Sequence, residues 1–369
     1  MTILCGVQAP AEELSSGAEK PDRSFELSLP LGLHSTQFTV PSDNRLDEDK
    51  IALGRSLFFD KRVSADDSIA CASCHSPEYA FSDGLQTARG IDSQTGTRNA
   101  PTIINRIFSS AQFYDGRAPS LEAQAIGPMT NPIEMGMPNH DSVVSKLAEI
   151  PGYERWFQRV FGRDVNIDDV AKAIATFERT VVSGASRADR FLSGDLNAIN
   201  DSEKRGYAIF IGKARCSQCH RQPLFTDEKY HNTGVGWDGS RVDLGRYLVT
   251  GKTADIGAFK TPTLREIDLT GPYMHNGAFA TLEETIEFYD RGGISNPFLD
   301  VEMKRPTRTL EQMLAYYEVG KDDREGPNPG IELAKLNLSK QERVDLAAFL
   351  RALNGRGWQD IGPPESFPQ

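Results

Sequence analysis

Apolar residues recur with the period of an α-helix in several stretches of the chain. One predicted helix buries a face made of Val170, Ala173, Ile174, Phe177 and Val181, at i, i+3, i+4, i+7 and i+11. The pair Ser183-Gly184 is a stop signal for that helix. A second helix is predicted over Thr281–Tyr289, with Leu282, Ile286 and Tyr289 on one face.

Other segments supply helix boundaries and long irregular connections. Asn200 followed by Glu203 resembles a capping box and predicts a helix start, and Asp345–Leu353 is predicted as a closing helix. Segments without such periodicity are the polar start 1–40, the Gly-rich stretch 234–257 and the Pro-rich end 362–369, which we expect to be frayed. The sequence therefore predicts a mainly α fold with long loops and little β structure.

The chain contains two copies of one pattern at matching spacings. The paired segments are Gly54-x-x-Leu57-Phe58 with Gly206-x-x-Ile209-Phe210, Phe81-Ser82-Asp83 with Phe225-Thr226-Asp227, Pro101-Thr102 with Pro262-Thr263, Asp115-Gly116 with Asn276-Gly277, and Leu121-Glu122 with Leu282-Glu283. We expect two tandem domains of the same type, over residues 44–190 and 191–369. Residues 1–43 would form an N-terminal tail or strap.

Composition and charge narrow the class of protein. With 369 residues the chain is long enough for about two domains. Its 52 acidic and 41 basic residues give a net charge of −11, which disfavours binding to nucleic acid. No apolar run reaches the roughly 18 residues of a membrane span, so we expect none.

Four of the five cysteines fall in two pairs, and a histidine follows each pair. Cys71-Ala-Ser-Cys74-His75 and Cys216-Ser-Gln-Cys219-His220 both match C-x-x-C-H, the attachment pattern of c-type haem. A zinc site would need a fourth ligand in each cluster, and a redox dithiol would not need the histidine twice. We expect two covalently bound haem c groups, tethered through the thiols, with His75 and His220 as iron ligands.

Covalent haem predicts a periplasmic protein, because bacteria attach haem c outside the cytoplasm. Residues 1–20 lack the basic and apolar segments of an export signal, so we expect a trimmed chain or a misplaced start. Cys5 is left over from the haem motifs. It is either a lipidated cysteine or an unpaired tail cysteine, and the bulky Leu4 before it favours the second.

The two copies differ at one position that bears on the iron. Seven residues after the paired leucine, the first copy has Pro128 and the second has Tyr289. From the predicted helix, Tyr289 can reach the open face of its haem as the second axial ligand. Pro128 has no side-chain donor and leaves the first iron open. The alternatives are an ordinary core tyrosine and a helix stop at Gly127-Pro128.

Together these motifs resemble the bacterial di-haem cytochrome c peroxidase superfamily, and most of all its MauG-like branch. The resemblance spans about residues 45–353. It is carried by Cys71–His75, Arg98–Thr102, Asp115–Arg117, Pro128–Met135, Cys216–His220, Phe225–Asp227, Tyr230–Asn232 and Gly271–Gly277. It implies two tandem cytochrome c-type haem domains, the first open to peroxide and the second six-coordinate.

The resemblance also implies ligands and a reactive pocket. At the second haem, Tyr289 would be the second iron ligand, where ordinary family peroxidases have Met. At the first haem, Gln124, Pro128 and Glu134 would surround the open iron, with Glu134 as the acid–base group. From sequence alone Gln124 and Glu134 would be surface residues. Ordinary peroxidases block the first iron with a loop histidine, but residues 76–139 contain none.

Between the haems the resemblance implies a calcium ion and a relay residue. Asn99, Thr270 and Pro272 would bind Ca²⁺, and oxygen donors of this kind suit that ion. Tyr114 stands where the family commonly has Trp between the haems, and His275 would contact the haem surroundings.

The resemblance implies an enzyme that uses H₂O₂ to form a high-valent, bis-Fe(IV)-like state and oxidises aromatic residues, foremost Trp but also Tyr, on a partner protein. The alternative is a cytochrome c peroxidase that reduces H₂O₂ with electrons from a small cytochrome or cupredoxin. A non-enzymatic electron carrier is the third class. An open first haem disfavours the carrier, and Tyr289 in place of Met disfavours the peroxidase.

Overall fold

The computed structural model describes residues 23–237, 242–306 and 331–369. In these ranges the α-helices are α1 Glu48–Phe59, α2 Cys71–Cys74, α3 Leu121–Ala125, α4 His140–Ala148, α5 Pro151–Phe161, α6 Ile167–Glu178, α7 Arg187–Leu192, α8 Asp201–Ile211, α9 Tyr247–Thr250, α10 Leu282–Asp290 and α11 Lys340–Arg351. Two antiparallel pairs complete the regular structure, β1 Tyr230–His231 with β2 Phe259–Lys260, and β3 Lys304–Pro306 with β4 Ile331–Leu333. The mainly α prediction is confirmed.

Two expectations fall partly or wholly beyond these ranges. Cys5 and the first part of the expected strap lie outside the described residues.

None of the described helices is both long and apolar enough to cross a membrane.

Side-chain caps explain where the helices begin. The predicted capping box of Asn200 and Glu203 is present at the start of α8. Thr281 caps α10 in the same way. A box formed by Ser339 and Glu342 starts α11 at Lys340, five residues before the predicted start at Asp345.

The predicted end of α6 was too late. The helix ends at Glu178, and Val181 lies beyond it, although Val181 is buried as expected. The chain leaves the helix because Asn105 pairs with the segment that follows: its amide N–H donates to the Val181 carbonyl, and its Oδ1 accepts from the Ser183 amide.

The two copies share one helix packing, set by a glycine in each. In the first copy α1 crosses α6, and a Cβ on Gly54 would lie 1.9 Å from the Ala173 carbonyl oxygen. In the second copy α8 crosses α11, and a Cβ on Gly206 would lie 1.9 Å from the Asp345 carbonyl oxygen. Any larger residue at either glycine would force these helix pairs apart.

The buried apolar side chains form two main clusters. The first, called here the first core, extends from Leu53 to Val181, and the second core extends from Ala188 to Leu353. The structure shows these two packed clusters, while the domain boundaries at 43/44 and 190/191 stay a prediction.

The C-terminal end is docked, contrary to the expectation that residues 362–369 are frayed. Trp358 packs edge-on against Phe81 in the first core. Arg55 Nε donates to the Gly362 carbonyl at 2.6 Å, and an Arg62 guanidinium nitrogen donates to the Pro368 carbonyl at 2.9 Å. These hydrogen bonds to backbone carbonyls cannot be anticipated from a Pro-rich composition.

A buried ion pair links the second copy to the N-terminal segment. The Arg265 guanidinium donates to both carboxylate oxygens of Asp189 at 2.8 Å and to the Pro223 carbonyl. One of its nitrogens lies 3.4 Å from the Gly32 carbonyl oxygen. Because the Arg265 side chain has no exposed surface, this pair fixes α7, the loop before Phe225 and the strap in one arrangement.

Candidate haem sites

Each C-x-x-C-H motif places its histidine ring by a hydrogen bond to a nearby carbonyl. The Nδ1 of His75 lies 3.3 Å from the Phe81 carbonyl oxygen, and the Nδ1 of His220 lies 2.9 Å from that of Phe225. Both phenylalanines adopt left-handed backbone angles, with φ of 59° and 53°, which turn the carbonyls toward the rings. Since Nδ1 donates, each ring keeps Nε2 free as an iron ligand.

Burial prepares both histidines to bind metal. It lowers the pKa of His75 and of His220, so that each ring is neutral, the form that coordinates iron. None of the four motif cysteines is in a disulfide. Burial raises the pKa of Cys74 and of Cys216 to about 12, which favours inert thiols over thiolates.

The second copy encloses a large cavity. Its empty space, with the open mouth included, is about 1590 Å³. His220 and both motif cysteines line it, and Tyr289 lines it from α10. In the described part of the chain the Tyr289 hydroxyl has no hydrogen-bond partner. A histidine and an unpaired tyrosine in one such cavity fit the expected haem.

A second pocket lies in the first copy, and its wall includes Pro128, the repeat counterpart of Tyr289. Its empty space is about 620 Å³, and its wall also includes Glu134, Phe113 and Arg117. Gln124 is not part of that wall, although its counterpart in the repeat, Thr285, lines the second cavity. The structure thus places Pro128 and Glu134 in one pocket, while the arrangement of Pro128, Glu134 and Gln124 around the iron stays a prediction.

Glu134 has the environment of a proton-transfer group. Burial raises the pKa of its carboxyl, and the positive charge of Arg117 opposes that rise. Arg117 is itself held by Asp115 at 3.0 Å and lies over the Phe113 ring, 3.5 Å from its centroid. Sequence reasoning gave neither Arg117 nor Phe113 a role, although Arg117 belongs to the Asp-Gly-Arg motif.

The predicted relay residue and the predicted calcium ligands lie where the two copies meet. The Tyr114 hydroxyl donates to Asn99 Oδ1 at 3.2 Å, and Tyr114 also lines the second cavity. The backbone N–H of Asn99 donates to the His275 carbonyl at 2.9 Å, which places Asn99 beside the segment that contains Thr270 and Pro272. The calcium assignment itself stays a prediction.

Two histidines near the second cavity have other partners. His275 stacks on Phe259 with ring centroids 3.5 Å apart, and its Nε2 lies 3.5 Å from an Asp243 oxygen. His231 is bracketed by the carboxylates of Asp227 and Asp300, one at each ring nitrogen. Since both its nitrogens are engaged, His231 is poorly placed to replace Tyr289 as a ligand.

The comparisons with known proteins agree with this geometry. The family model described as di-haem cytochrome c peroxidase matches residues 48–197. The chain is 39% identical over 315 residues to the methylamine utilization protein MauG of Methylorubrum extorquens, covering 85% of this chain and 80% of that protein. The chain belongs to the di-haem cytochrome c peroxidase superfamily.

Other members of the superfamily are similar as well. The cytochrome c551 peroxidase of Nitrosomonas europaea is 42% identical over 268 residues, covering 72% of this chain and 80% of that protein. Among solved structures, a MauG-like protein associated with microbial copper homeostasis superposes with a TM-score of 0.75 at 31% identity, covering 92% of this chain and 98% of that one. The protein is therefore a di-haem oxidoreductase that acts with peroxide, and its resemblance to the MauG-like branch is confirmed.

Three residues that line the second cavity have polar or charged counterparts in the first copy. Ile267, Tyr273 and Leu350 line the second cavity, and the repeat aligns them with Arg106, Gln112 and Glu178 of the first copy. Glu178 is buried, and its Oε2 has no hydrogen-bond partner among the described groups. Burial raises its pKa to about 8. Sequence reasoning missed Glu178, and only the alignment of α6 with α11 could have found it.

Glu178 should make the stability of the protein depend on pH. Between the ordinary pKa near 4.5 and about 8, the folded protein keeps Glu178 protonated while the unfolded chain releases the proton. The free energy of unfolding should therefore fall as pH rises, by about 1.4 kcal/mol per pH unit from this group. Denaturant titrations at pH 5 to 8 should show that Glu178→Gln removes this part of the slope.

An exposed carboxylate of the same copy provides the control. Glu154→Gln should keep the pH dependence of the wild-type protein, because this side chain is exposed on α5. If Glu178→Gln also retained the full wild-type slope, the buried, protonated state of Glu178 would be wrong.

Proposed function

We propose that the protein uses H₂O₂ to oxidise aromatic side chains, foremost Trp, on a partner protein. The observation that supports this most is the unequal pair Pro128 and Tyr289. These residues occupy the same position of the repeat, yet Pro128 has no side-chain donor, whereas Tyr289 lines the second cavity and its hydroxyl has no hydrogen-bond partner among the described groups. When bound, the two haems supply activation of peroxide and storage of its two oxidising equivalents.

Tyr289 is the residue that distinguishes storage from simple electron acceptance. Burial raises the pKa of its hydroxyl, so the side chain holds its proton, and a bound ferric haem would supply the Lewis acid that stabilises its anion. An anionic oxygen ligand stabilises high oxidation states of iron, whereas a Met ligand favours the reduced state. The tyrosine therefore suits an enzyme that holds oxidising power until its partner arrives.

Glu134 would move the proton that peroxide cleavage requires. Glu134 lines the first pocket beside Pro128, and burial raises the pKa of its carboxyl, which makes it a stronger proton acceptor than an exposed glutamate. Gln124 would hydrogen-bond the bound oxygen from the same side. Arg117 holds the pocket wall through Asp115 and Phe113.

The remaining parts of the proposal concern cofactor attachment, calcium and location. Thioether bonds from Cys71, Cys74, Cys216 and Cys219 would tether the haems, which implies maturation in the periplasm. Asn99, Thr270 and Pro272 would hold Ca²⁺ between the haems, with water completing its shell. Tyr114 would relay electrons there, since it reaches from Asn99 to the second cavity.

A cytochrome c peroxidase is the second candidate, favoured by the 42% identity to the Nitrosomonas europaea peroxidase. In that case the electrons would come from a small cytochrome or cupredoxin, and no partner residue would be modified. The MauG-like solved structure is associated with copper homeostasis, and by analogy a copper-binding protein is one partner class to test first.

Tyr289→Met should convert one activity into the other. The wild-type diferric protein given H₂O₂ should oxidise Trp in a synthetic peptide probe, seen by mass spectrometry, and oxidise a reduced small cytochrome slowly. The variant should lose the peptide oxidation and gain at least about tenfold in cytochrome turnover, because a Met ligand favours electron acceptance. Tyr247→Met, on α9, is the matched control. Fast cytochrome turnover by the wild type with an unmodified peptide would favour the peroxidase.

Glu134→Gln should slow the reaction with peroxide by about 10²-fold or more, because it removes a positioned acid–base group. Stopped-flow absorbance of the diferric protein after H₂O₂ addition measures the rate, and the pyridine haemochrome spectrum confirms that both haems remain. Glu149→Gln changes an exposed carboxylate of the same copy and should leave the rate unchanged. A wild-type rate in Glu134→Gln would exclude this residue from proton transfer.

A further inference from the structure

A buried ammonium group lies between the two copies. Lys260, in β2, is 5% exposed, and its Nζ donates to the Ala111 carbonyl of the first copy at 2.7 Å. A carboxylate oxygen of Glu228 lies 3.5 Å from Nζ, and the Glu228 side chain also accepts from the Ser109 hydroxyl. Lys260 at the same time lines the second haem cavity.

The repeat shows what this ammonium corresponds to. The spacing that aligns Pro101 with Pro262 also aligns Asn99 with Lys260. The backbone hydrogen bonds agree with this alignment. The backbone N–H of Asn99 donates to the His275 carbonyl, and the backbone N–H of Lys260 donates to the Tyr114 carbonyl. Tyr114 and His275 are themselves counterparts, so the two copies face each other about an approximate twofold axis.

The same alignment extends to the groups around each side chain. Ser109 and Ala111 are the counterparts of Thr270 and Pro272. The Lys260 ammonium therefore donates to the Ala111 carbonyl, the counterpart of the Pro272 carbonyl. The approximate twofold axis relates its position to the place where Asn99, Thr270 and Pro272 would bind a cation. One side of the interface carries a positive charge built into the chain.

Burying the ammonium charge of Lys260 costs free energy, and the neighbouring charged groups do not fully offset that cost. Burial, together with the nearby Arg106, lowers the pKa of Lys260 to about 7, although Glu228 opposes them. A side chain that only had to donate to the Ala111 carbonyl would not need to be charged. The position on the cavity wall gives the charge an effect that a neutral residue would lack.

We propose that Lys260 is a resident cation that raises the reduction potential of the second haem. A positive charge at the wall of a poorly hydrated cavity stabilises an added electron there, because Coulomb interactions are weakly screened. Lys260 thus acts through its field and touches no substrate, so it is a positioning residue. The inference requires a haem in the second cavity and does not depend on which substrate the protein oxidises.

The test measures the reduction potential of the second haem in the intact holoprotein at pH 6, by spectroelectrochemistry. Lys260→Met and Lys260→Asn both remove the charge, and the asparagine is the residue that the first copy has at this position. Each should change the equilibrium constant for one-electron reduction at least tenfold, a fall of about 59 mV. Lys260→Arg keeps the charge and should stay within threefold of the wild type.

Lys229→Met is the matched control, since it removes one positive charge from an exposed side chain of the neighbouring segment. Its potential should equal that of the wild type because solvent screens the lost charge. If Lys260→Met fails to fold, Lys260→Asn decides. A folded neutral variant with both haems and a wild-type potential would overturn the proposal, whatever the outcome of the peptide-oxidation test.

Discussion

Two backbone hydrogen bonds hold the copies of this chain face to face, and the chemistry of the protein depends on them. The Asn99 amide donates to the His275 carbonyl, and the Lys260 amide donates to the Tyr114 carbonyl. These reciprocal bonds place Tyr114 and Lys260 on the wall of the second haem cavity although Tyr114 belongs to the first copy.

On this symmetric frame the side chains divide the work unequally. Both histidines bond to a left-handed phenylalanine carbonyl, so the proximal sides of the two sites are built alike. The distal sides differ, with Pro128 in one copy and Tyr289 in the other. Under the proposed function, a few substitutions between the copies of one repeat would produce one peroxide-reactive site and one storage site.

The sequence predicted what depends on local or repeated residues. The capping box at Asn200, the helix that presents Tyr289, and the C-x-x-C-H sites follow from spacing alone. Three features depend on packing between distant segments and were not predicted. They are the end of α6 at Glu178, the docked C-terminal segment with Trp358, and the unpaired carboxyl of Glu178. Lys260 was missed for the same reason, because the groups around its ammonium belong largely to the other copy.

The electron paramagnetic resonance spectrum of the resting diferric protein tests the central claim, the unequal ligation of two equivalent sites, most directly. The account predicts one high-spin ferric haem with an open face at His75 and one low-spin ferric haem between His220 and Tyr289. Two low-spin haems in the resting protein, or a low-spin signal that persists unchanged in Tyr289→Phe, would contradict it.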